Sequence, residues 1–160
     1  MLTGREILIY LCIKYKGDWR RIYKAVHTRE RYSSNEIKET ISKIGSKIIT
    51  LLDDDYPDFF KKSYCPPFVL FYHGDISLIS DYDKLLGVAG SRICSDDGIE
   101  MTRRLMEEIG NEFIILSGLS IGIEATAHKS LMNAGGKCVA VLDSEINYPY
   151  PDENTYLYEE

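Results

Sequence analysis

Three short, almost wholly apolar runs set the limits on how this chain can fold. They are Leu85-Leu86-Gly87-Val88-Ala89, Phe113-Ile114-Ile115-Leu116 and Cys138-Val139-Ala140-Val141-Leu142. Each has strand length. Between the first two, residues 96–110 have helical periodicity, with Ile99, Leu105, Met106 and Ile109 on the inward side and Gly110 as the stop. Between the second and third, residues 121–134 read as another helix, closed by Gly135-Gly136. Alternating strands and helices make a parallel sheet, and near-continuous apolar strands belong to a sheet covered on both faces. Right-handed crossovers place all three strand carboxyl ends on one edge. The expected fold class is α/β, a parallel sheet with flanking helices.

The residues ahead of this pattern read differently. Ile7, Leu8, Leu11 and Tyr15 have helical spacing; Asp18 can cap a second helix carrying Trp19, Ile22, Tyr23 and Val26; Ser33 or Ser34 can cap a third that ends at Gly45. The expected organisation is a small basic helical domain over 1–46 and an α/β domain over 47–160. Within the second domain, Ile48–Leu52 and Phe68–Tyr72 read as strands, with Tyr56-Pro57 beginning a loop or short helix that holds Phe59 and Phe60, and Cys65-Pro66-Pro67 as further punctuation. Tyr148-Pro149-Tyr150-Pro151 reads as a loop and residues 152–160 as the start of a helix.

Charge follows the same division. Residues 1–49 hold eleven Lys/Arg and five Asp/Glu, whereas residues 50–160 hold eight and twenty. A basic N-terminal unit can touch nucleic acid, although small helices also carry lysine on solvent faces for no further reason. The four cysteines, Cys12, Cys65, Cys94 and Cys138, are scattered and form no C-x-x-C pair, so no metal site is expected. Cys12 and Cys138 read as buried thiols in a reducing, cytoplasmic setting. No run reaches the roughly 20 apolar residues of a membrane span, and the N-terminus lacks the form of a secretory signal.

Ligands of open α/β sheets bind beyond the strand carboxyl ends. Those ends are Gly90-Ser91-Arg92, Ser117-Gly118-Leu119-Ser120 and Asp143-Ser144-Glu145. Glycine admits a phosphate to the backbone, serine donates hydrogen bonds, the following helix start adds free N–H groups, and Arg92 adds a forked cation. Tight strand–helix turns also need glycine, but they do not need a guanidinium, which makes Arg92 the discriminating residue. The Gly-x-Gly-x-x-Gly and Walker A patterns are absent. Glu124 and His128 share a helix face and could do acid–base work, but with no third group the expected role is to anchor the helix to a loop.

Taken together, these residues resemble the DprA/Smf (DNA processing protein A) family. The resemblance rests on Gly90-Ser91-Arg92, on Ser117-Gly118-Leu119-Ser120-Ile121-Gly122-Ile123-Glu124-Ala125-Thr126-Ala127-His128, on Gly135-Gly136-Lys137 and on Tyr150-Pro151-Asp152-Glu153-Asn154. Tyr56-Pro57 and Pro67–Gly74 resemble the family's lead-in, and the match covers residues 50 to 157. The resemblance implies a Rossmann-like domain that binds single-stranded DNA in natural transformation and RecA-dependent recombination. Single-stranded DNA, RecA and a second copy of the chain are the implied partners, with no cofactor and no catalytic reaction. Gly90, Ser91, Arg92, Ser117, Gly118, Ser120, Gly122 and Lys137 fall on or near phosphate-contacting positions. Glu124, His128, Tyr150, Pro151 and Asn154 are expected to be structural.

Two departures accompany the match. Family members continue for another hundred or so residues and complete the sheet, so an open strand edge is expected here. Asp143 and Glu145 replace glycines at the crevice, and Glu124 replaces an aspartate. Carboxylates repel phosphate. The alternatives are therefore a binder of a nucleotide-like small molecule on the same fold, or an inactive truncated copy. Related phosphoribohydrolases carry a Pro-Gly-Gly-x-Gly-Thr-x-x-Glu segment that this chain lacks.

Overall fold

A computed structural model describes residues 2–148 and 150–159. The chain divides into two compact units, Met1–Gly74 and Asp75–Glu160.

The first unit begins with α1 (Gly4–Lys14), α2 (Trp19–His27) and α3 (Ser34–Ser42). Thr3 and Glu6 form a reciprocal cap on α1: the Thr3 hydroxyl accepts from Glu6 N–H and the Glu6 carboxylate accepts from Thr3 N–H. Asp18 caps α2 by accepting from Arg21 N–H at 3.0 Å. The helix α3 ends at Ser42, before Gly45, with Lys43 as its C-cap. Leu11, Ile22, Ala25 and Ile37 form the centre of the bundle.

Two strands, β1 (Lys47–Thr50) and β2 (Val69–Tyr72), pair antiparallel and flank the short α4 (Asp58–Lys61). Leu8 and Ile9 of α1 pack on Val69, with Ile48 and Phe71 against them. The expected boundary at 46/47 thus falls inside this unit, because three short helices alone cannot bury enough apolar surface and the β-hairpin supplies the missing layer. Arg5 pairs with Asp53 at 3.0 Å, and Tyr56 donates its hydroxyl to the Pro67 carbonyl at 2.6 Å, fixing the segment between the strands.

The second unit is the α/β part. Strands β3 (Leu85–Gly87), β4 (Ile114–Ser117) and β5 (Lys137–Ala140) form a parallel sheet in the order β3-β4-β5. Helices α5 (Asp96–Ile109) and α6 (Ile123–Asn133) make the crossovers. Met106 of α5 and Ala127 and Leu131 of α6 close over Ile115, with Leu86, Ile109 and Cys138 beside them. Two of the expected inward residues differ: Leu105 is 50% exposed and Ile99 40%. Leu105 lies 100° around the helix from Met106, and Ile99 sits two turns nearer the helix start. The alternate sheet face is less covered than apolar strands suggest, since Leu85, Ile114, Leu116 and Val139 are half-buried and Val141 is 61% exposed. Within this sheet β3 and β5 are the two edge strands. A 3₁₀ turn over Asp152–Asn154 leads into α7 (Thr155–Glu159).

All four cysteines are free. Cys12 and Cys138 are half-buried, and burial pushes both thiols up, that of Cys138 to about 11. Among the described residues no helix is long and apolar enough to cross a membrane, and no group of His, Cys, Asp and Glu could hold a metal ion.

Candidate nucleic-acid interface

Three loops leave the carboxyl ends of β3, β4 and β5 on one side of the sheet. The register is parallel, with Gly87 opposite Leu116 and Ser117 opposite Ala140. Beyond these ends lies a cleft of about 360 Å³, lined by Gly90, Arg92, Gly118, Ser120, Glu124, Asp143, Tyr150 and Glu153, with Leu119, Ile121, Val141, Leu142 and Pro151 between them.

The first two loops are locked together. Ile123 N–H donates to the Ser91 carbonyl at 3.2 Å. Gly122 has φ +87°, and a Cβ there would overlap the Ser91 carbonyl oxygen and lie 2.8 Å from that of Arg92. A Cβ on Gly90 would lie 2.5 Å from that of Ile123. Both positions therefore require glycine so that the two backbones can meet.

Several serines expected to face phosphate are already engaged. Ser117 is buried and donates to the Val88 carbonyl at 2.7 Å. The Ser91 hydroxyl donates to the Ile93 carbonyl at 2.5 Å. The Ser120 hydroxyl donates to the Glu124 carboxylate at 2.7 Å, and Ser120 N–H donates to the same oxygen at 3.3 Å. Glu124 thus fills part of the cradle that the sequence offers to an anion. What remains for an anion is Arg92, exposed and without an ion pair among the described residues. The backbone N–H groups of Ser91, Arg92, Ile121 and Gly122 also have no acceptor among them. Against these stand Asp143 and Glu153 in the lining; Glu145 is exposed and lies outside it.

Lys137 does not join this group. It opens β5 opposite Ile114, whereas the cleft lies past Ala140, three residues or about 10 Å along the strand. Glycine-rich spacing in a sequence does not reveal at which end of the following strand a side chain stands.

His128 and Glu124 do not form an acid–base pair. His128 is buried and its Nε2–H donates to the Gly118 carbonyl at 2.8 Å, while Glu124 is turned to Ser120. Burial lowers the imidazole's affinity for a proton, opposed by the Gly118 carbonyl and the Glu124 charge. The unfolded chain therefore binds a proton near pH 6.5 that the folded chain resists, so this residue's contribution is present above that pH and lost as pH falls below it. In urea titrations the midpoint should fall between pH 7.5 and pH 5.5. In His128→Gln the fall should be smaller; an identical fall in both proteins would show that His128 does not carry it.

Asn154 is likewise buried, and its Nδ2 donates to the Leu119 carbonyl at 2.8 Å, tying the loop after β4 to the turn before α7. Pro151 is buried, following a cis bond from Tyr150. Tyr150 differs from the expected structural role, being 65% exposed at the cleft wall. Leu119 and Ile121 lie within the segment the sequence placed at the strand end, whereas Glu153 was not expected as a lining residue. Only the fold of the segment after β5 back over the cleft brings Glu153 there, and no local pattern signals it.

This architecture has known counterparts. Residues 47–160 match the family model described as DNA recombination-mediator protein A. The chain is 36% identical over 108 residues to DNA processing protein DprA of Streptococcus pneumoniae, covering 68% of this chain and 38% of that protein. It is 31% identical over 158 residues to Protein Smf of Borreliella burgdorferi, covering 96% of this chain and 46% of that one. The crystal structure of DprA from Streptococcus pneumoniae superposes with a TM-score of 0.69 at 24% identity, covering 98% of this chain and 59% of its own. The chain thus spans less than half the length of these two relatives. The family match over most of the chain and the shared fold, with glycine-locked loops at the strand ends, lead to one conclusion: this chain belongs to the DNA recombination-mediator protein A (DprA/Smf) family.

Proposed function

We propose that this chain takes part in DNA processing during uptake and recombination, and that it does so by binding single-stranded DNA at the cleft beyond β3, β4 and β5. The observation that carries this reading is Arg92, an exposed guanidinium beside four unpaired backbone N–H groups on loops held rigid by Gly90 and Gly122. A forked cation and backbone amides without an acceptor among the described residues suit a phosphate oxygen and read no base. Tyr150 offers a ring beside them on which a base can stack. Asp143 and Glu153 lower affinity for phosphate, so binding is expected to be weak above moderate salt. In the same reading, by analogy with the family, RecA and a second copy of the chain are its protein partners.

The test is fluorescence-anisotropy titration of labelled oligo-dT at low and moderate salt. Arg92→Ala is expected to weaken binding about tenfold, equally for different base sequences, and to lower the salt slope by about 1. Unchanged affinity and slope in the variant would remove Arg92 from the interface.

A second reading, a nucleotide-like small molecule in the same cleft, is favoured by the cleft volume of about 360 Å³. That lies within the range of small-ligand pockets, roughly 300–1,000 Å³. A mononucleotide that raises the melting temperature at a concentration where oligo-dT does not would select this reading, since only a ligand of the folded state stabilises it.

A further inference from the structure

We infer that α2 presents a second surface for single-stranded nucleic acid, built on an aromatic ladder in the first unit and separate from the strand-end cleft. Trp19 stacks between Phe68 (ring centroids 5.4 Å apart, planes at 23°) and Tyr23 (5.0 Å, 9°), and Tyr23 stacks in turn on His27 (6.1 Å, 7°). The Trp19 Nε1–H donates to the Pro66 carbonyl at 3.0 Å, which fixes the ladder's orientation. The helix does not need this row for its core. Ile22 and Ala25 are the buried residues of α2, while Tyr23 is 52% exposed and His27 is exposed. The outer face of His27 has no ring against it among the described residues, so the stack is open at that end.

The charge beside the ladder is unbalanced. Arg20 and Lys24 occupy the adjacent row of α2, one residue on from Trp19 and Tyr23; both are exposed and without ion pairs among the described residues. The helix contains no acid. By contrast, Arg103 and Arg104 of α5 are paired with Glu100 and Glu107. Residues 1–74 hold thirteen Lys/Arg and nine Asp/Glu, whereas residues 75–160 hold six and sixteen. Exposed cations beside an open stack of flat rings, with Glu30 the acid near enough to Lys24 to feel its charge, complement a chain that offers unstacked bases and phosphates together. A duplex keeps its bases stacked on one another and offers only phosphate, so the fit is to a single strand. That this strand is DNA rests on the reading above.

The sequence contains one tryptophan, Trp19, so its emission reports on the ladder alone. Labelled oligo-dT titrated into the full chain should quench Trp19 emission in step with the rise in anisotropy. Quenching should persist in Arg92→Ala at higher DNA concentration. Tyr23→Ala should raise the Kd about tenfold, and Arg20→Glu with Lys24→Glu, which leaves the ladder intact, should raise it at least as much. If oligo-dT binds and Arg92→Ala weakens it, but Trp19 emission and the α2 variants are unchanged, the ladder surface is overturned and the cleft reading stands. If the α2 variants lose binding and Arg92→Ala does not, the ladder stands and the cleft reading falls. Equal quenching by duplex DNA would overturn the single-strand assignment, and no anisotropy change at low salt would overturn both surfaces.

Discussion

Gly122→Ala is expected to destabilise the second unit by about 3 kcal/mol and to abolish whatever binding the strand-end cleft supports. Two costs add. The residue sits at φ +87° and ψ −130°, where a side chain costs about 1–3 kcal/mol. The new Cβ would also overlap the Ser91 carbonyl oxygen, and overpacking against backbone costs about 1–3 kcal/mol more. Relief requires the loop carrying Ser91 and Arg92 to move off the start of α6, breaking the bond from Ile123 N–H to Ser91. Stability and geometry therefore fail together. Chemical denaturation should show the lost stability, and the protein that remains folded should bind oligo-dT no better than Arg92→Ala does. Wild-type affinity in a folded Gly122→Ala protein would mean that the docking of the two loops is not what positions Arg92.

Leu131→Ala is expected to cost a similar amount, about 2–5 kcal/mol, by a different route. Leu131 is fully buried in the cluster of Met106, Ile115 and Ala127, between α6 and the sheet. Truncation removes apolar burial and leaves a cavity that the rigid β4 cannot fill. The cleft is lined by other residues, so the folded fraction should retain its affinity for oligo-dT while the urea midpoint falls. The pair of variants separates stability from site geometry. If Leu131→Ala weakened binding as much as Gly122→Ala, the cleft would depend on core packing generally and not on the loop contact.

Much of this was legible in the chain. The three apolar runs, the helical stretches between them and the glycines at their ends specify a parallel α/β unit, because strand and helix periods and helix stops are local properties. The spacing of Gly90-Ser91-Arg92 and of the segment from Ser117 to His128 marked the loops at the sheet edge. The cap at Asp18 was readable for the same reason, since a helix start depends on a few adjacent residues; Ser33 holds the N-cap position of α3 without a side-chain hydrogen bond to it. That Arg92 would lie at the carboxyl end of its strand also followed from its place in the loop after that strand.

The rest depended on which distant groups meet. Sequence offers Ser91, Ser117 and Ser120 as hydrogen-bond donors to an anion. Packing assigns Ser117 to Val88 and Ser120 to Glu124, because a buried hydroxyl takes the nearest acceptor the fold provides. Lys137 reads as adjacent to the same motifs, yet parallel register places it at the far end of β5. Glu153 and Tyr150 reach the cleft only because the chain folds back over it, held by the bond from Asn154 to the Leu119 carbonyl. The antiparallel pairing of β1 with β2 that completes the first unit joins residues about twenty positions apart, and the stacking of Phe68 on Trp19 joins residues nearly fifty apart. Local periodicity determined the elements and the order of the loops. Tertiary packing alone decided which side chains remain free for a ligand, since that depends on the partners left over once the long-range contacts are made.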